Sequence, residues 1–378
     1  MTTKRIALIL LLLLLVAGCD KAKEIAPKKT TIEGSEGVVF EFYRNTPASE
    51  VWELQSLPLA FKIQNLGACD LLPVNSGTNP NRCIREGKAL FALSWDNQVI
   101  GIPWDAKMKE INAEAQNDDL ADTIRYITKE GDKPDKAGNP AFAMYLLGRN
   151  TLPGPAGTTS VTKGEERLLI FEAQARGINV LNPEIPGVKT QITAGLCYPY
   201  KTQIATDVCV DPDLFNLQEK EKTCEVILDQ DFSTQGAPVA VTHMKTDMLP
   251  VQVHKTVPRF EFTVRNVGSG KVVAPASLHR ACSFNTLRKT EDLNNITFRA
   301  FLGGDRSNPL KCGARGSQKT EIEAHLDRDS QQTIIICEAE EISQEIGTYE
   351  TPLLIEVEYG YFDTQTEEIN IKRVRRLP

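Results

Sequence analysis

Short runs in which apolar and polar residues alternate recur along the chain from residue 38 onward. Examples are VVFEFY (38–43), FEFTVRN (260–266) and LLIEVEYGY (353–361), and turn-forming residues separate such runs. Alternation with a period of two is typical of strands that bury one face. The pattern predicts an all-β protein.

The two halves of the chain repeat this pattern. An offset of 201 residues relates Phe61, Ile63, Asn65 and Gly67 to Phe262, Val264, Asn266 and Gly268. Further on, an offset of 166 relates 168–173 to 334–339, and an offset of 161 relates 192–210 to 353–371. The repeat predicts a duplicated domain, each copy having about seven or eight strands and a closing hairpin with Tyr-x-Tyr. The Asn and Gly that end the first matched strand are expected to adopt the left-handed conformations of a turn.

The duplicated pattern resembles the CARDB-like and other immunoglobulin-like modules of prokaryotic surface proteins. The resemblance rests on Gln64-Asn65-Leu66-Gly67, on Arg265-Asn266-Val267-Gly268 and on the closing hairpins. It implies two tandem β-sandwiches, at 37–210 and 239–373, with a connector at 211–238 and a tail at 374–378. Such modules generally bind partners or act as spacers.

The first copy contains an insertion. Because the offset falls from 201 to about 161, roughly 40 extra residues lie between Trp95 and Leu168, and we place the insertion at about 104–160. Apolar spacing over 117–129 predicts a helix, and a second helix is expected from Pro140 to the glycine at 148. The insertion is therefore expected to be partly helical, and either carries function or covers a sheet edge.

The N-terminus has the layout of an export signal. Two basic residues precede a run of twelve apolar residues (6–17), which is shorter than the roughly 20 needed to span a bilayer. Val16-Ala17-Gly18-Cys19 resembles the lipobox of prokaryotic lipoproteins, which implies removal of residues 1–18 and acylation of Cys19, with palmitate among the chains. The alternative is an ordinary signal peptide with a chance cysteine. The polar segment 19–36 is then a flexible tether. The first expected partner is a membrane, which the lipid would bind. The protein would be anchored to the outer face of the cytoplasmic membrane or would face the periplasm.

Charge and cysteine content agree with export. Without Lys4 and Arg5 the chain has 41 basic and 50 acidic residues, an acidic balance that argues against nucleic acid as a partner. Removing Cys19 leaves eight cysteines, an even number that favours disulfides outside the cytoplasm. The pairs Cys209–Cys224 and Cys312–Cys337 are expected, although one or two free buried cysteines remain an alternative. No spacing is typical of a zinc site, and no cofactor is expected.

Two kinds of binding residue are candidates. Trp95 and Trp104 flank the start of the insertion and, with Tyr126 and Tyr145, would form a face for a protein or cell-envelope partner if exposed. The alternative for each aromatic residue is burial in the core. Asp207, Asp211 and Asp213 are candidate ligands for calcium, with a solvated turn as the alternative.

No catalytic motif is recognisable in the sequence. The favoured function is a lipid-anchored binding or structural module at the cell surface or in the periplasm. The alternative is a carbohydrate-active or peptidase-related lipoprotein whose site lies in the insertion, where only paired carboxylates would be at hand.

Overall fold

A computed structural model describes eleven stretches of the chain. They are 34–68, 89–102, 109–112, 141–147, 166–178, 185–214, 221–252, 254–282, 292–304, 306–314 and 318–374. Cys19, the tether before residue 34, Trp104, Tyr126 and the predicted helix at 117–129 lie outside these stretches. The described stretches contain no helix with the length and hydropathy of a transmembrane segment.

Strands account for most of the described residues. The first half of the chain contains β1 (Val38–Phe42), β2 (Glu50–Trp52), β3 (Ser56–Asn65), β4 (Ala89–Trp95), β5 (Ile100–Gly101), β6 (Lys109–Asn112), β7 (Ala141–Leu147), β8 (Glu166–Ala175) and β9 (Gly187–Val210). The second half contains β10 (Asp229–Asp231), β11 (Val239–Gln252), β12 (Lys255–Asn266), β13 (Lys271–Val273), β14 (Asn295–Leu302), β15 (Lys311–Cys312), β16 (Ile322–His325), β17 (Gln332–Glu338), β18 (Ile342–Ser343) and β19 (Tyr349–Lys372). The described helices are short, namely α1 (Leu278–Cys282) and 3-10 turns at Pro275–Ser277 and Gln344–Ile346.

These strands form three sheets, which confirms the all-β class. The first sheet has the order β1-β3-β8-β5, with β6 also on β8. The second has the order β10-β11-β12-β17-β15, with β18 also on β12. The third, which we name the shared sheet, has the order β16-β14-β19-β9-β4-β7, and both β13 and β2 pair with β19.

The shared sheet is built on two strands of 24 residues each. β9 and β19 pair antiparallel over their full length, from Gly187 opposite Lys372 to Val210 opposite Tyr349. At about 3.3 Å per residue this ladder is roughly 75 Å long. The closing hairpin expected in each copy was therefore wrong. Residues 201–207 (KTQIATD) contain β-branched residues and no Gly or Pro, so the strand continues and pairs with its counterpart in the other copy.

The pairing registers repeat with the offsets found in the sequence. Phe61 lies opposite Leu169, and Phe262 lies opposite Ile335, as the offsets of 201 and 166 require. Pro199 and Gly360 are related by the offset of 161 and also lie opposite each other. An approximate two-fold axis therefore passes through this pair at the middle of the long ladder.

Both smaller sheets cover the same face of the shared sheet. Phe61 of the first sheet packs on Phe91 of β4, with ring centroids 4.9 Å apart. Phe262 of the second sheet packs on Phe298 of β14, with centroids 5.3 Å apart. Thr31–Pro378 forms one compact unit. The expectation of two separate tandem sandwiches is not confirmed, because strands of both copies contribute to one sheet.

The part of the insertion that the structure describes is strand. β7 pairs antiparallel with β4, from Ala141 opposite Trp95 to Leu147 opposite Ala89, and β6 pairs with β8. The helix expected from Pro140 onward was therefore wrong. A seven-residue apolar run is short for a helix, and β4 offers it a free edge with which to pair.

Candidate functional site

The aromatic face expected around the insertion is not formed by Trp95. This side chain is only 5% exposed and belongs to the main core. Alternation along β4 puts Trp95 on the same inward face as Phe91, so its candidacy as a partner residue was wrong. Of Tyr145 the structure describes only the backbone in β7. Of the tryptophans that the structure describes, Trp52 in β2 is exposed, at 51%, and the sequence did not single it out.

Asp211, the central one of the three aspartates proposed for calcium, is bound to other groups. Asp211 is buried, its Oδ2 accepts a hydrogen bond from Lys222 Nζ at 2.7 Å, and its Oδ1 accepts one from the Asp213 backbone N–H at 2.9 Å. Asp207 lies exposed on β9. Among the described residues no three His, Cys, Asp or Glu side chains are grouped so as to hold a metal ion. Asp211 therefore has the geometry of an ion pair that fixes the start of the connector.

Three disulfides join described residues. Cys209–Cys224 and Cys312–Cys337 are the two pairs expected from the sequence. The third joins Cys197 of β9 to Cys282 of α1, and no spacing rule predicts it because 85 residues separate the two cysteines. Disulfides of this number indicate an oxidising environment outside the cytoplasm.

The Cys197–Cys282 disulfide holds the two copies together. It lies in a second core cluster, on the outer face of the shared sheet, formed by Leu90, Ala92, Cys197, Val273, Leu278, Ala281, Cys282 and Phe362. Residues of the second copy, among them Leu278, Ala281 and Cys282 of α1, thus cover strands of the first copy.

Replacing Cys197 and Cys282 by Ala is expected to lower the free energy of unfolding by about 2–4 kcal/mol, because an 85-residue loop is no longer closed in the unfolded chain. Urea unfolding without reductant measures this. The matched control removes Cys209–Cys224, which closes only 15 residues, and should cost less. The opposite ranking would contradict the role of the Cys197–Cys282 bond in joining the copies.

Four tyrosines fill the centre of the molecule around the two-fold axis. They are Tyr198, Tyr200, Tyr359 and Tyr361, with the Tyr198 and Tyr361 rings 5.7 Å apart. The Tyr198 hydroxyl accepts a hydrogen bond from the Val38 N–H at 3.1 Å, and the Tyr359 hydroxyl accepts one from the Val239 N–H at 3.1 Å. These bonds fix the first residues of β1 and β11. Burial raises the pKa of Tyr198 and Tyr359 well above the ordinary value, so both remain neutral donors and acceptors.

The close approach of these tyrosines explains why glycine occupies positions 67 and 268. Neither has the left-handed backbone expected from the sequence, because positive φ occurs at other glycines. A Cβ on Gly67 would overlap the Tyr200 hydroxyl and lie 3.0 Å from its Cζ, and a Cβ on Gly268 would overlap the Tyr361 hydroxyl. The repeated glycine therefore makes room for the repeated tyrosine.

A buried carboxylate lies on the outer face of the shared sheet. Glu356 is 2% exposed, and its Oε1 accepts hydrogen bonds from Gln203 Nε2 at 2.7 Å and from Arg306 through Nε at 3.2 Å and Nη2. Lys201 Nζ lies 3.4 Å from the same oxygen. Burial acts to raise the pKa of Glu356, but Arg306, Lys201 and Gln203 outweigh it and hold the pKa below the ordinary value.

The outer edge of β19 is paired in segments. β14 pairs with 353–358, β13 with 360–362 and β2 with 370–372, all on the side away from β9. Between β13 and β2, the described strands leave the seven residues 363–369 (DTQTEEI) paired with β9 alone. We name 363–369 the open edge. Residues 364–368 within it are exposed.

The side chains around the open edge are mainly acidic. Asp363, Glu367 and Glu368 belong to it, and Glu36 lies close enough to Asp363 for their charges to interact. Burial raises the pKa of Asp363, and burial together with the Asp363 charge raises the pKa of Glu36. Lys189 Nζ is 2.9 Å from Glu368 Oε1, across the sheet on β9. Carboxylates with raised pKa values beside a free strand edge make this the strongest candidate for a functional site.

Exposed apolar residues lie elsewhere. Trp52 and Leu54 lie near the Lys372 end of the long ladder, where β2 pairs. The other exposed large apolar side chains among the described residues belong to the connector, the second copy or the tail, namely Leu214, Ile227, Leu228, Val251, Ile334, Ile346 and Val374.

Comparison with known proteins adds little to this description. No protein-family model matches the chain, and no curated protein matches it. Among solved structures, the collagen adhesin CNA from S. aureus aligns over 91% of this chain and 93% of its own, at 10% identity and a TM-score of 0.18. A TM-score this low supports no inference about shared fold or function. The class defined by the structure is thus an all-β, disulfide-linked protein of an oxidising compartment.

Proposed function

We propose that the protein is a lipid-anchored extracytoplasmic module that binds or positions a protein or cell-envelope partner, and that it is not an enzyme. Its anchor is the lipid on Cys19, and its location is the cell surface or the periplasm. The lipobox resemblance and the three disulfides support this location. Stable anchoring requires more than one acyl chain on that cysteine.

The observation that carries the proposal is the long β9–β19 ladder. It joins two copies of a domain into one body, as expected of a spacer or of a scaffold that presents a binding surface. We interpret each smaller sheet, with its part of the shared sheet, as an immunoglobulin-like sandwich. The insertion at 104–160 and the connector at 211–238 remain further candidates for the partner face.

The described chain enters this body near its middle. The Gly34 N–H donates to Thr234 Oγ1 at 3.0 Å, and the Gly34 carbonyl accepts from the Gly236 N–H at 2.9 Å. Gly236 in turn binds the hydroxyl of Tyr200, which belongs to the tyrosine cluster at the two-fold axis. A tether that ends here would hold the body by its centre.

Replacing Cys19 by Ser is expected to move nearly all of the protein from the membrane fraction to the soluble extracytoplasmic fraction, because serine cannot form the thioether that carries the lipid. Fractionation of carbonate-washed membranes measures this, together with loss of labelled palmitate. The control variant Asp20→Ser keeps the cysteine and should stay on the membrane. Retention of the Cys19→Ser protein would contradict anchoring. Release of sugars or peptides from envelope material by the purified protein would contradict the binding role.

A further inference from the structure

The open edge has a fixed length, because a paired strand bounds it at each end. β13 closes one end at Phe362 and β2 closes the other at Asn370, so the free stretch is limited to seven residues, or about 23 Å. A segment of similar length would fit between the two strands and complete the row of strands along β19.

Alternate residues of the open edge point their backbone N–H and carbonyl groups away from β9. The Asn370 N–H donates to Ser49 at 2.8 Å, and the Lys372 carbonyl accepts from the Glu53 N–H at 2.9 Å, so residues of even number face outward. Thr364, Thr366 and Glu368 have the same parity. They present up to three donors and three acceptors to an added strand, although the Thr364 N–H also reaches Asp363 Oδ1 at 2.8 Å.

The acidic charge of the open edge favours some added strands over others. A second copy of the chain would bring the same acidic residues against Asp363, Glu367 and Glu368, and like charges across a strand pair are unfavourable. Acidic residues on a free edge oppose such self-pairing. Lysine or arginine on an added strand would instead be attracted.

We propose that residues 363–369 bind an extended, Lys- or Arg-containing segment of a partner protein, which adds to β19 as a strand between β13 and β2. This inference rests on the proposed function and names the partner's chemistry. Main-chain hydrogen bonds give affinity, and the acidic side chains select basic sequences. A cation of the added strand would also relieve the repulsion between Glu36 and Asp363.

The test uses the full chain and fluorescent seven-residue peptides that alternate Thr or Val with Lys, compared with the same peptides carrying Glu. Anisotropy should show at least about tenfold tighter binding of the Lys peptide, weakening as salt rises. The Thr366→Pro variant removes an outward N–H without touching the β9 ladder, and should weaken binding at least about tenfold. The matched variant Thr366→Ala keeps the N–H and should bind like the wild type.

N-methylated peptides provide a second measurement. Methyl groups on the alternate N–H groups that face β19 should abolish binding, whereas methyl groups on the other set should leave it unchanged. Equal binding of Lys and Glu peptides, or wild-type affinity in Thr366→Pro, would overturn the inference. A large gain in affinity on deleting residues 20–33 would also overturn it, since the chain's own tether would then be the occupant. If the peptides fail while the anchored Thr366→Pro protein still recovers an envelope partner, only this inference fails and the proposed function stands.

Discussion

Replacing Gly67 by Ala should lower the free energy of unfolding by about 3 kcal/mol, among the largest losses expected for a single methyl group in this protein. The new Cβ would overlap the Tyr200 hydroxyl and lie 3.1 Å from the Gly37 Cα. Tyr200 cannot easily move away, because it is buried and its hydroxyl donates to the Gly236 carbonyl at 2.8 Å. Chemical unfolding, with the linear slope checked for each variant, measures the loss.

A double-mutant cycle separates this overlap from a general effect of alanine. Tyr200→Phe removes the overlapping oxygen and should itself cost about 1 kcal/mol, since the Gly236 carbonyl loses a hydrogen bond. The double variant should lose at least about 1 kcal/mol less than the sum of the single losses. Gly177→Ala is the matched control, because its nearest neighbour would be Leu54 Cδ2 at 3.8 Å, and it should change stability by less than about 1 kcal/mol. If the losses in free energy of unfolding of the two single variants simply add in the double variant, overlap with Tyr200 is not the reason that glycine is needed at position 67.

Replacing Glu356 by Gln should cost about 2–3 kcal/mol at neutral pH. The change leaves the buried Lys201 ammonium and the Arg306 guanidinium without their counter-charge, and breaking a buried ion pair is strongly destabilising. The expected loss is at the lower end for such pairs because Arg306 is 50% exposed and partly hydrated.

The loss should depend on pH with a defined sign. The pKa of Glu356 in the folded protein lies below the ordinary value of 4.5, so its charge stabilises the fold above that pH. The difference between wild type and Glu356→Gln should therefore be full above about pH 5 and shrink as the pH falls below 4.5. Glu358→Gln is the matched control on the same face of β19. The Glu358 side chain, which pairs with Arg299, is 26% exposed whereas that of Glu356 is 2% exposed, and its replacement should cost about 1 kcal/mol or less. Equal losses in the two variants would contradict the importance of burial at Glu356.

The tyrosine cluster supports the proposed scaffold role, because its repeated hydrogen bonds join the two copies at the centre of the body. Equivalent residues of the two copies meet at Pro199 and Gly360, and equivalent hydroxyls bind the starts of β1 and β11. The centre of the body is thus held by side-chain hydrogen bonds from both copies, in addition to the ladder. Such an arrangement favours movement of the body as one piece.

Prediction from sequence succeeded for features that depend on the alternation of apolar and polar residues or on the offsets of the repeat. Alternation identified the long strands, and the offsets of 201 and 166 correspond to observed registers. It failed where a neighbour decided the outcome. Residues 141–147 have an apolar run that is compatible with helix, and the free edge of β4 made them a strand. The expected closing hairpin was wrong because residues 201–207 continue the strand and pair with β19.

The candidate site was missed for the same reason. Nothing in DTQTEEI distinguishes it from any exposed strand, because the open edge exists only where β13 stops and β2 begins. Trp95 was chosen and Trp52 overlooked, since alternation gives the two faces of a strand without saying which face meets another sheet. Cys197–Cys282 was missed because a contact between residues 85 apart leaves no spacing signal.

The strand class, the duplication and the prediction of export could be inferred from the sequence, because they depend on composition and on patterns that repeat every few residues. Only the folded arrangement shows that the two copies share one sheet, that glycine accompanies tyrosine at the centre, and that a seven-residue acidic edge stays open among the described strands. These features arise from which strands become neighbours. That choice is made by backbone pairing and packing between residues far apart in the chain, which no local pattern records.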